Sequence, residues 1–391
     1  MSTTLFQLAE REYTLYRYPA KFQHKSLQAW DSADQLLLEH ILAIPPAEPP
    51  PSITLLNDEF GALACVLADV FPDMTLYSQS DSWISHKATQ QNLRNNDITA
   101  DINFIDSMHS LQPNTLVVVK IPRTLSYLEW QLNSVREYCE SQTQVIAAAK
   151  VTALTPSIFK LFERYLGPVT TSLAKKKSRL LFCQNTQPKV AASAYPTTFT
   201  TDASETGVAL TLVNHANVFS RQSLDIGARV MLQHLPDITS SEPTRVVDLG
   251  CGNGVLGIAL LAQHDNAYVT FVDDSFMALA SAKASIEENL PDAIERSQFV
   301  ASNCLEAMDE AQRNQIDVVV CNPPFHQQNV VTEHIAKQMF KDAHKYLKRG
   351  GELRVVANRH LPYGNELKRI FGGFRVLASE RKFVILSAIK K

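Results

Sequence analysis

The chain has 391 residues, 45% hydrophobic and 20% charged, with a formal net charge of -3 and a pI near 6.4. That length favours two domains with ample core, and the charge balance argues neither for nor against a nucleic-acid partner; only a local basic patch could do so. Six cysteines form no CxxC pair, the pattern of free thiols in a reducing compartment rather than of disulfides or a zinc site. The opening "MSTTLFQLAEREYTLYRYP" has no signal-peptide core, and no stretch approaches the roughly 20 apolar residues of a membrane span. The expectation is a soluble cytoplasmic protein, without membrane or metal.

In chain order, a helical region is expected first, followed by the proline-rich connector "IPPAEPPPS" (Ile44 to Ser52), which holds the chain extended. "ITLLNDEFGALACVLADVF" reads as strand, loop and helix; "MTLYSQSDSWISHKATQQNL" and "NTLVVVKIPRTLSYLEWQLNSVREYCE" repeat that order, and "SRLLFCQ" closes the half as a strand. The small, polar, proline-containing stretch "QNTQPKVAASAYPTT" (Gln184 to Thr198) reads as a linker. These signals predict domains at 1–185 and 201–391, joined by residues 186–200.

The second half alternates strands with helices, which predicts a mostly parallel sheet covered on both faces. Its expected elements are the strand "TRVVDLG", the helix "GVLGIALLAQH", the strand "AYVTFVDDS" and the helix "FMALASAKASIEENL". After them come "SQFVASN", "IDVVVCNPPF", a helix around "TEHIAKQMFKDAHKYL", and the strands "GELRVVAN" and "KFVILSAI". The halves also match each other. Gly254 pairs with Gly61 at a spacing of 193 residues, and "VVVCNP" pairs with "VVVKIP" at a spacing of 201. The reading is an internal duplication.

"DLGCGNGVLG" carries Gly250, Gly252, Gly254 and Gly257 between a strand and a helix. Such a loop lets backbone N–H groups approach a ligand, and the helix N-terminus receives an anionic group. Asp248 at the strand end is placed to accept from a ligand amine, and Asp273 at the next strand end is placed to hold ribose hydroxyls. A dinucleotide fits this pattern, but Asp248 and Gly250 fit S-adenosylmethionine better, with its ammonium and carboxylate. The candidate cofactor set is Asp248, Gly250, Cys251, Gly252, Asn253, Gly254, Asp273, Asp274, Ser275, Asn303 and Asn322.

Asn-Pro-Pro-Phe (Asn322, Pro323, Pro324, Phe325) directly follows a buried strand. A planar exocyclic amine must be turned so that its lone pair faces the methyl donor. The Asn322 side-chain oxygen and the Pro323 carbonyl can accept its two hydrogens. The prolines stiffen the turn without offering competing N–H groups, and Phe325 can stack on a flat base. Phe219, Ser220 and Arg221 precede a helix expected across the pocket. They are read as substrate contacts, with a capped helix start as the alternative.

"VVDLGCGNGVLGIAL", "TFVDDS", "NPPFHQQ" and "HANVFSRQSLDIGARVML" resemble the bacterial ribosomal RNA guanine-N2 methyltransferases of the RsmC/RlmG family, and "NPPFHQQ" with "VVANRHLPY" is closer to the large-subunit branch. The resemblance implies two tandem Rossmann-like α/β methyltransferase domains of the S-adenosylmethionine-dependent class I. It also implies a non-catalytic first domain used for substrate recognition, and large-subunit (23S) ribosomal RNA as partner. It places Asp248, Gly250, Gly252, Asp273 and Asn303 around the cofactor, and Asn322 to Phe325 around the target guanine. Asn303 stands where many related enzymes carry an aspartate.

In the expected alignment of the halves, Leu55 replaces Asp248, and Asn57 and Glu59 replace Gly250 and Gly252. Ile121 and Arg123 replace Asn322 and Pro324, so the first copy reads as degenerate. Lys175, Lys176 and Lys177 in "LAKKKSRLLF" form a candidate RNA-phosphate patch, with a solvated hairpin as the alternative. Rival functions are N6-adenine methylation of nucleic acid, methylation of a glutamine amide, or a ribosome-assembly RNA-binding factor that does not catalyse.

Overall fold

Buried strands of Val, Leu and Ala alternate with helices through both halves of the sequence, and in each half they close two core clusters, one on either face of its sheet. The computed structural model describes residues 3–21, 23, 26–43, 50–113, 116–188, 193–324 and 330–391. The chain divides into two compact units, Met1–Ala194 and Tyr195–Lys391. Ile44 to Pro49 of the proline connector, Lys189 to Ala192 of the linker, and Phe325 and His326 lie outside the described residues.

The first unit does not open on a helix as expected. Leu5–Leu8 and Arg11–Thr14 form an antiparallel hairpin. The period-two burial of Phe6 and Leu8 against exposed Leu5 and Gln7 explains it. The helix Ser32–Leu42 follows. The main sheet comprises β1 (Ser52–Leu56), β2 (Thr75–Ser80), β3 (Ile102–Asp106), β4 (Leu116–Lys120), β5 (Gln144–Lys150), β6 (Thr170–Thr171) and β7 (Ser178–Gln184). Its order is β3-β2-β1-β4-β5-β7-β6.

The second unit begins with a hairpin of Thr197–Thr200 and Thr211–Asn214, then the helix Ile226–Leu232. Its sheet comprises β8 (Thr244–Leu249), β9 (Ala267–Asp273), β10 (Ser297–Ala301), β11 (Ile316–Cys321), β12 (Leu347–Asn358), β13 (Arg375–Ser379) and β14 (Phe383–Ile389). The order is β10-β9-β8-β11-β12-β14-β13, the same as in the first unit. Edge strand β13 is absent from the sequence reading, because its residues are mostly exposed and show no buried face.

The central strands β8, β9 and β11 are covered on both faces, so they read as continuous apolar runs. Along β11, Val318 and Val320 join one core while Val319 and Cys321 join the other. Helix Val255–Gln263 packs on the first of these faces. Helix Phe276–Asn289 holds the hairpin: Ser281, Ser285 and Asn289, four residues apart on one helical face, accept the N–H groups of His215, Val213 and Thr211.

The duplication is visible atom by atom. Gly61 and Gly254 both start a helix at φ 83. A Cβ on Gly61 would lie 2.7 Å from Thr89, and one on Gly254 would lie 2.8 Å from Ala282, again 193 residues on. Ser82 and Ser275 cap equivalent helices, accepting from Ser85 and Ala278 respectively. These matches extend the spacing of 193 across the first strand, its helix and the second helix start.

One expected pairing needs correction. Leu55 pairs with Val118, whereas Asp248 pairs with Val320. With Leu55 opposite Asp248, the residues opposite Asn322 and Pro324 are therefore Lys120 and Pro122, not Ile121 and Arg123. A one-residue difference lies in the loops between the strands, where sequence matching carries no register information.

Candidate active site

In the second sheet the strand order reverses between β8 and β11, the place where open α/β sheets receive ligands beyond their carboxyl ends. Leu249 pairs with Cys321, so Gly250 and Asn322 leave neighbouring strands at the same level. Asp273 ends β9, and Asn303 follows β10. Four strand ends thus bring together most of the candidate residues.

The loop is shaped by two carboxylates. Asp248 is buried and accepts the Gly257 N–H at 2.9 Å, tying the strand end to the first turn of the helix. Burial pushes its carboxyl up to about 7. Asp273 accepts from Gly252 N–H at 3.0 Å through one oxygen and from Ser275 N–H at 2.9 Å through the other. Asp273 therefore clamps the glycine loop to the second strand end, in addition to facing the site. The carbonyl of Val272 accepts from both Gly250 and Cys251.

Gly252 shows why glycine is needed there. Its φ is +55, and a Cβ would meet nothing within 4 Å. Among the described residues nothing fills the space above it, so a ligand can approach the backbone closely. Gly254 makes no side-chain cap; Asp248 takes the Gly257 N–H, while the Val255 and Leu256 N–H groups at the start of helix Val255–Gln263 have no side-chain partner among the described residues and can hold a carboxylate. Gly257 serves packing instead: its Cβ would fall 2.4 Å from Phe271. These features fit the amino-acid end of S-adenosylmethionine.

Other candidates have structural partners. Asn253 donates to Asn214 at 3.0 Å and so anchors the hairpin to the loop. Ser275 caps helix Phe276–Asn289, directly after Asp274. Asn303 donates to Glu306 at 3.2 Å. Cys251 and Cys321 are buried, and burial pushes both thiols up, which leaves them inert as nucleophiles.

At the end of β11, the Asn322 side-chain N–H2 donates to Asp225 at 3.1 Å, while its Oδ1 is buried without a hydrogen-bond partner among the described residues. Asp225 is the N-cap of helix Ile226–Leu232. Pro323 is buried and Pro324 half-buried. Upstream of the same helix, Phe219 is 65% exposed, Ser220 has φ 57, and Arg221 donates to the Ala216 carbonyl and lies over the Tyr195 ring. Ile226 is also exposed at 56%, so Phe219 and Ile226 offer apolar contacts on either side of Asp225 in the sequence.

In the first unit, the corresponding places are filled from within. Asn57 takes the Gly250 position at φ 66, and its side chain donates to the Lys120 carbonyl and to Gln131. Glu59 stands for Gly252, and Ser80 for Asp273; Ser80 Oγ accepts the Ser82 N–H as Asp273 accepts that of Ser275. Lys120 is ion-paired with Asp34 at 2.6 Å and Asp31 at 3.1 Å. Residue Asp58, which sequence reasoning missed, accepts from Leu63 and Ala64 and supplies the loop anchor that Leu55 cannot.

The lysine hairpin is partly neutralised. Lys175 and Lys176 approach Glu39 at 2.5 and 3.9 Å. The matching hairpin of the second unit carries exposed Arg381 and Lys382, with Arg359 beside them donating to the Glu380 carbonyl. None of these three forms an ion pair among the described residues. Their signal in the sequence was scattered across two strands. Among the described residues no acidic, histidine or cysteine group forms a metal cluster, and no helix is long and apolar enough to cross a membrane.

Comparisons with known proteins agree over the whole chain. Residues 3–187 match the family model described as the RLMG N-terminal domain, and residues 209–387 match the methyltransferase small domain. A Pseudoalteromonas atlantica protein named ribosomal RNA large subunit methyltransferase G is 48% identical over 99% of this chain and 100% of its own. Proteins of the same name from Aeromonas salmonicida (48%, covering 99% and 100%) and Erwinia tasmaniensis (44%, covering 98% and 98%) are similar too. A T. thermophilus 16S rRNA N2-guanine methyltransferase (RsmC), solved with AdoMet and guanosine, shares the fold at TM-score 0.77 and 20% identity, covering 100% of both chains. The chain is therefore an S-adenosylmethionine-dependent RNA methyltransferase, and it belongs to the ribosomal RNA large subunit methyltransferase G family.

Proposed function

We propose that the chain transfers a methyl group from S-adenosylmethionine to the exocyclic N2 amine of a guanine in large-subunit (23S) ribosomal RNA, in the cytoplasm. Residues 201–391 carry out catalysis, residues 1–185 recognise RNA, and residues 186–200 link them. The names of the relatives support the large-subunit substrate, and the guanosine in the T. thermophilus neighbour supports the base. One observation carries the reading: beside the glycine loop, Asn322 presents a buried oxygen with no partner among the described residues. A buried acceptor left unmade costs about 1–3 kcal/mol, so the arrangement suits a donor that arrives with the substrate.

When bound, S-adenosylmethionine supplies the electrophilic methyl group. Asp248 and Asp273 hold the loop so that the Gly252 backbone and the helix N-terminus bind its amino-acid end, with Asp274, Ser275 and Asn303 beside its adenosine. Asn322 Oδ1 and the Pro323 carbonyl accept the two amine hydrogens of the guanine, turning the nitrogen lone pair toward the methyl group. As positive charge develops on that nitrogen, both acceptors stabilise it. As the nitrogen takes the methyl group the thioether product is released and the spare amine proton passes to water, so no dedicated general base is needed and catalysis here is positioning. Phe219 and Phe325 stack on the base, and the base leaves its helix to reach them. Arg221, Lys177, Arg359, Arg381 and Lys382 face RNA phosphates.

The test is mass spectrometry of nucleosides from 23S ribosomal RNA incubated with the protein and labelled S-adenosylmethionine. Labelled N2-methylguanosine is expected. Label confined to N6-methyladenosine, or to a glutamine of a ribosomal protein, would overturn the guanine reading, and no label at all would leave an RNA-binding factor.

A further inference from the structure

We infer that Asp225 is a positioning residue for the reaction: it fixes which end of the Asn322 amide faces the substrate and thereby makes the site selective for a hydrogen-bond donor. The inference rests on the methyl-transfer reading of the same site and adds to it a residue 97 positions away in sequence.

An amide side chain can present either its oxygen or its N–H2, and shape alone does not distinguish them. Chemistry does so here. Asp225 Oδ2 accepts from the Ala228 N–H at 3.0 Å, as the cap of helix Ile226–Leu232, and from Asn322 Nδ2 at 3.1 Å. The oxygen that accepts the Ala228 N–H faces Asn322 as an acceptor, so the N–H2 of Asn322 lies against it. The oxygen must then face the other way, and it is buried and unpaired among the described residues. A flipped amide would set oxygen against oxygen at Asp225 and point two hydrogens at the incoming amine. Such a site would reject an amine and accept a carbonyl.

The first unit shows that the link from helix cap to strand end belongs to the fold, whereas its chemical meaning does not. Asp31 caps helix Ser32–Leu42, accepting from Ala33 N–H at 2.9 Å, and also accepts from Lys120 Nζ at 3.1 Å. Lys120 occupies the ladder position of Asn322. In both copies a capping aspartate holds the group at the end of the fourth strand. An ammonium in that place has donors only and offers nothing to an amine. An amide held by the same carboxylate offers its oxygen.

Three variants separate positioning from capping. Asp225→Asn keeps an oxygen able to accept from both Ala228 and Asn322. Asp225→Ser keeps a helix cap but is too short to restrain Asn322, and Asp225→Ala loses both. Full-length proteins would be compared by thermal unfolding, by calorimetric affinity for S-adenosylmethionine, and by kcat and KM for methylation of 23S ribosomal RNA. Asp225→Ser is expected to unfold like the unsubstituted protein and bind cofactor equally, yet lose roughly tenfold or more in kcat, the scale of a misplaced reacting group. Asp225→Asn is expected to recover most of that loss. Equal kcat in the unsubstituted protein and Asp225→Ser would overturn the inference, as would losses that track unfolding temperature across all three variants. Failure of the unsubstituted protein to methylate guanine would instead overturn the reading on which the inference rests.

Discussion

Asp58 and Asp248 perform one task from different positions: Asp248 accepts the Gly257 N–H at 2.9 Å, and Asp58 accepts the N–H of Ala64, the residue equivalent to Gly257, at 2.8 Å. In the second unit the anchor comes from the strand end, which leaves the loop as glycine. In the first unit it comes from within the loop, at the position of Cys251, and Asn57 and Glu59 stand where the second unit has Gly250 and Gly252. Both loops are held, but only one leaves room for a ligand.

Asp248 should make stability pH-dependent. Burial raises its folded carboxyl to about 7, against about 3.9 in an unfolded chain. Because the folded value is the raised one, its contribution is fully present below about pH 4 and is lost as pH rises to about 7. The change is on the order of a few kcal/mol. Asp248→Asn cannot ionise, so thermal unfolding at pH 5 and pH 8 should show the variant gaining on the unsubstituted protein at the higher pH. A difference that does not change with pH would mean that the carboxyl ionises as easily folded as unfolded.

The chain should bind one equivalent of S-adenosylmethionine. Glu59, Ser80 and the Lys120 ion pairs occupy the corresponding places of the first unit. Gly252→Val should abolish calorimetric binding altogether, since it strains a backbone at φ +55 and fills the open space above the loop. Residual binding in Gly252→Val would reveal a second site.

Asn322→Ala should lower kcat by roughly a hundredfold or more, as for loss of one preorganised electrostatic contact. Cofactor affinity should hardly change. Single-turnover methyl transfer with saturating cofactor isolates the step, and unchanged turnover would rule out Asn322 as the amine acceptor.

Glu39 should restrain RNA binding by the lysine hairpin. Glu39→Gln releases Lys175 and Lys176, and RNA affinity should rise with a steeper salt dependence. Each recovered phosphate contact adds about 0.7–0.9 to the slope of log affinity against log salt. Replacing all three lysines with alanine in the Glu39-containing protein should flatten the slope by about one such contact, the share of Lys177. An unaltered slope in both variants would return the hairpin to a solvated turn.

The sequence by itself determined the two sheets, the glycine loop and the strand that delivers Asn322. Each rests on local rules: apolar runs of strand length, glycines where φ is positive, and prolines that stop a strand. Only the tertiary structure decided what faces what. The partnership of Asp225 with Asn322 joins groups 97 residues apart, and no periodicity connects a helix cap with a distant strand end. The replacement of Asn322 by Lys120 depended on ladder register, which hydrogen bonds between strands set and loop lengths conceal. Asp58 and the Glu39 ion pairs were hidden for the same reason. Their meaning lies in what packs beside them, and a linear pattern records only what comes next.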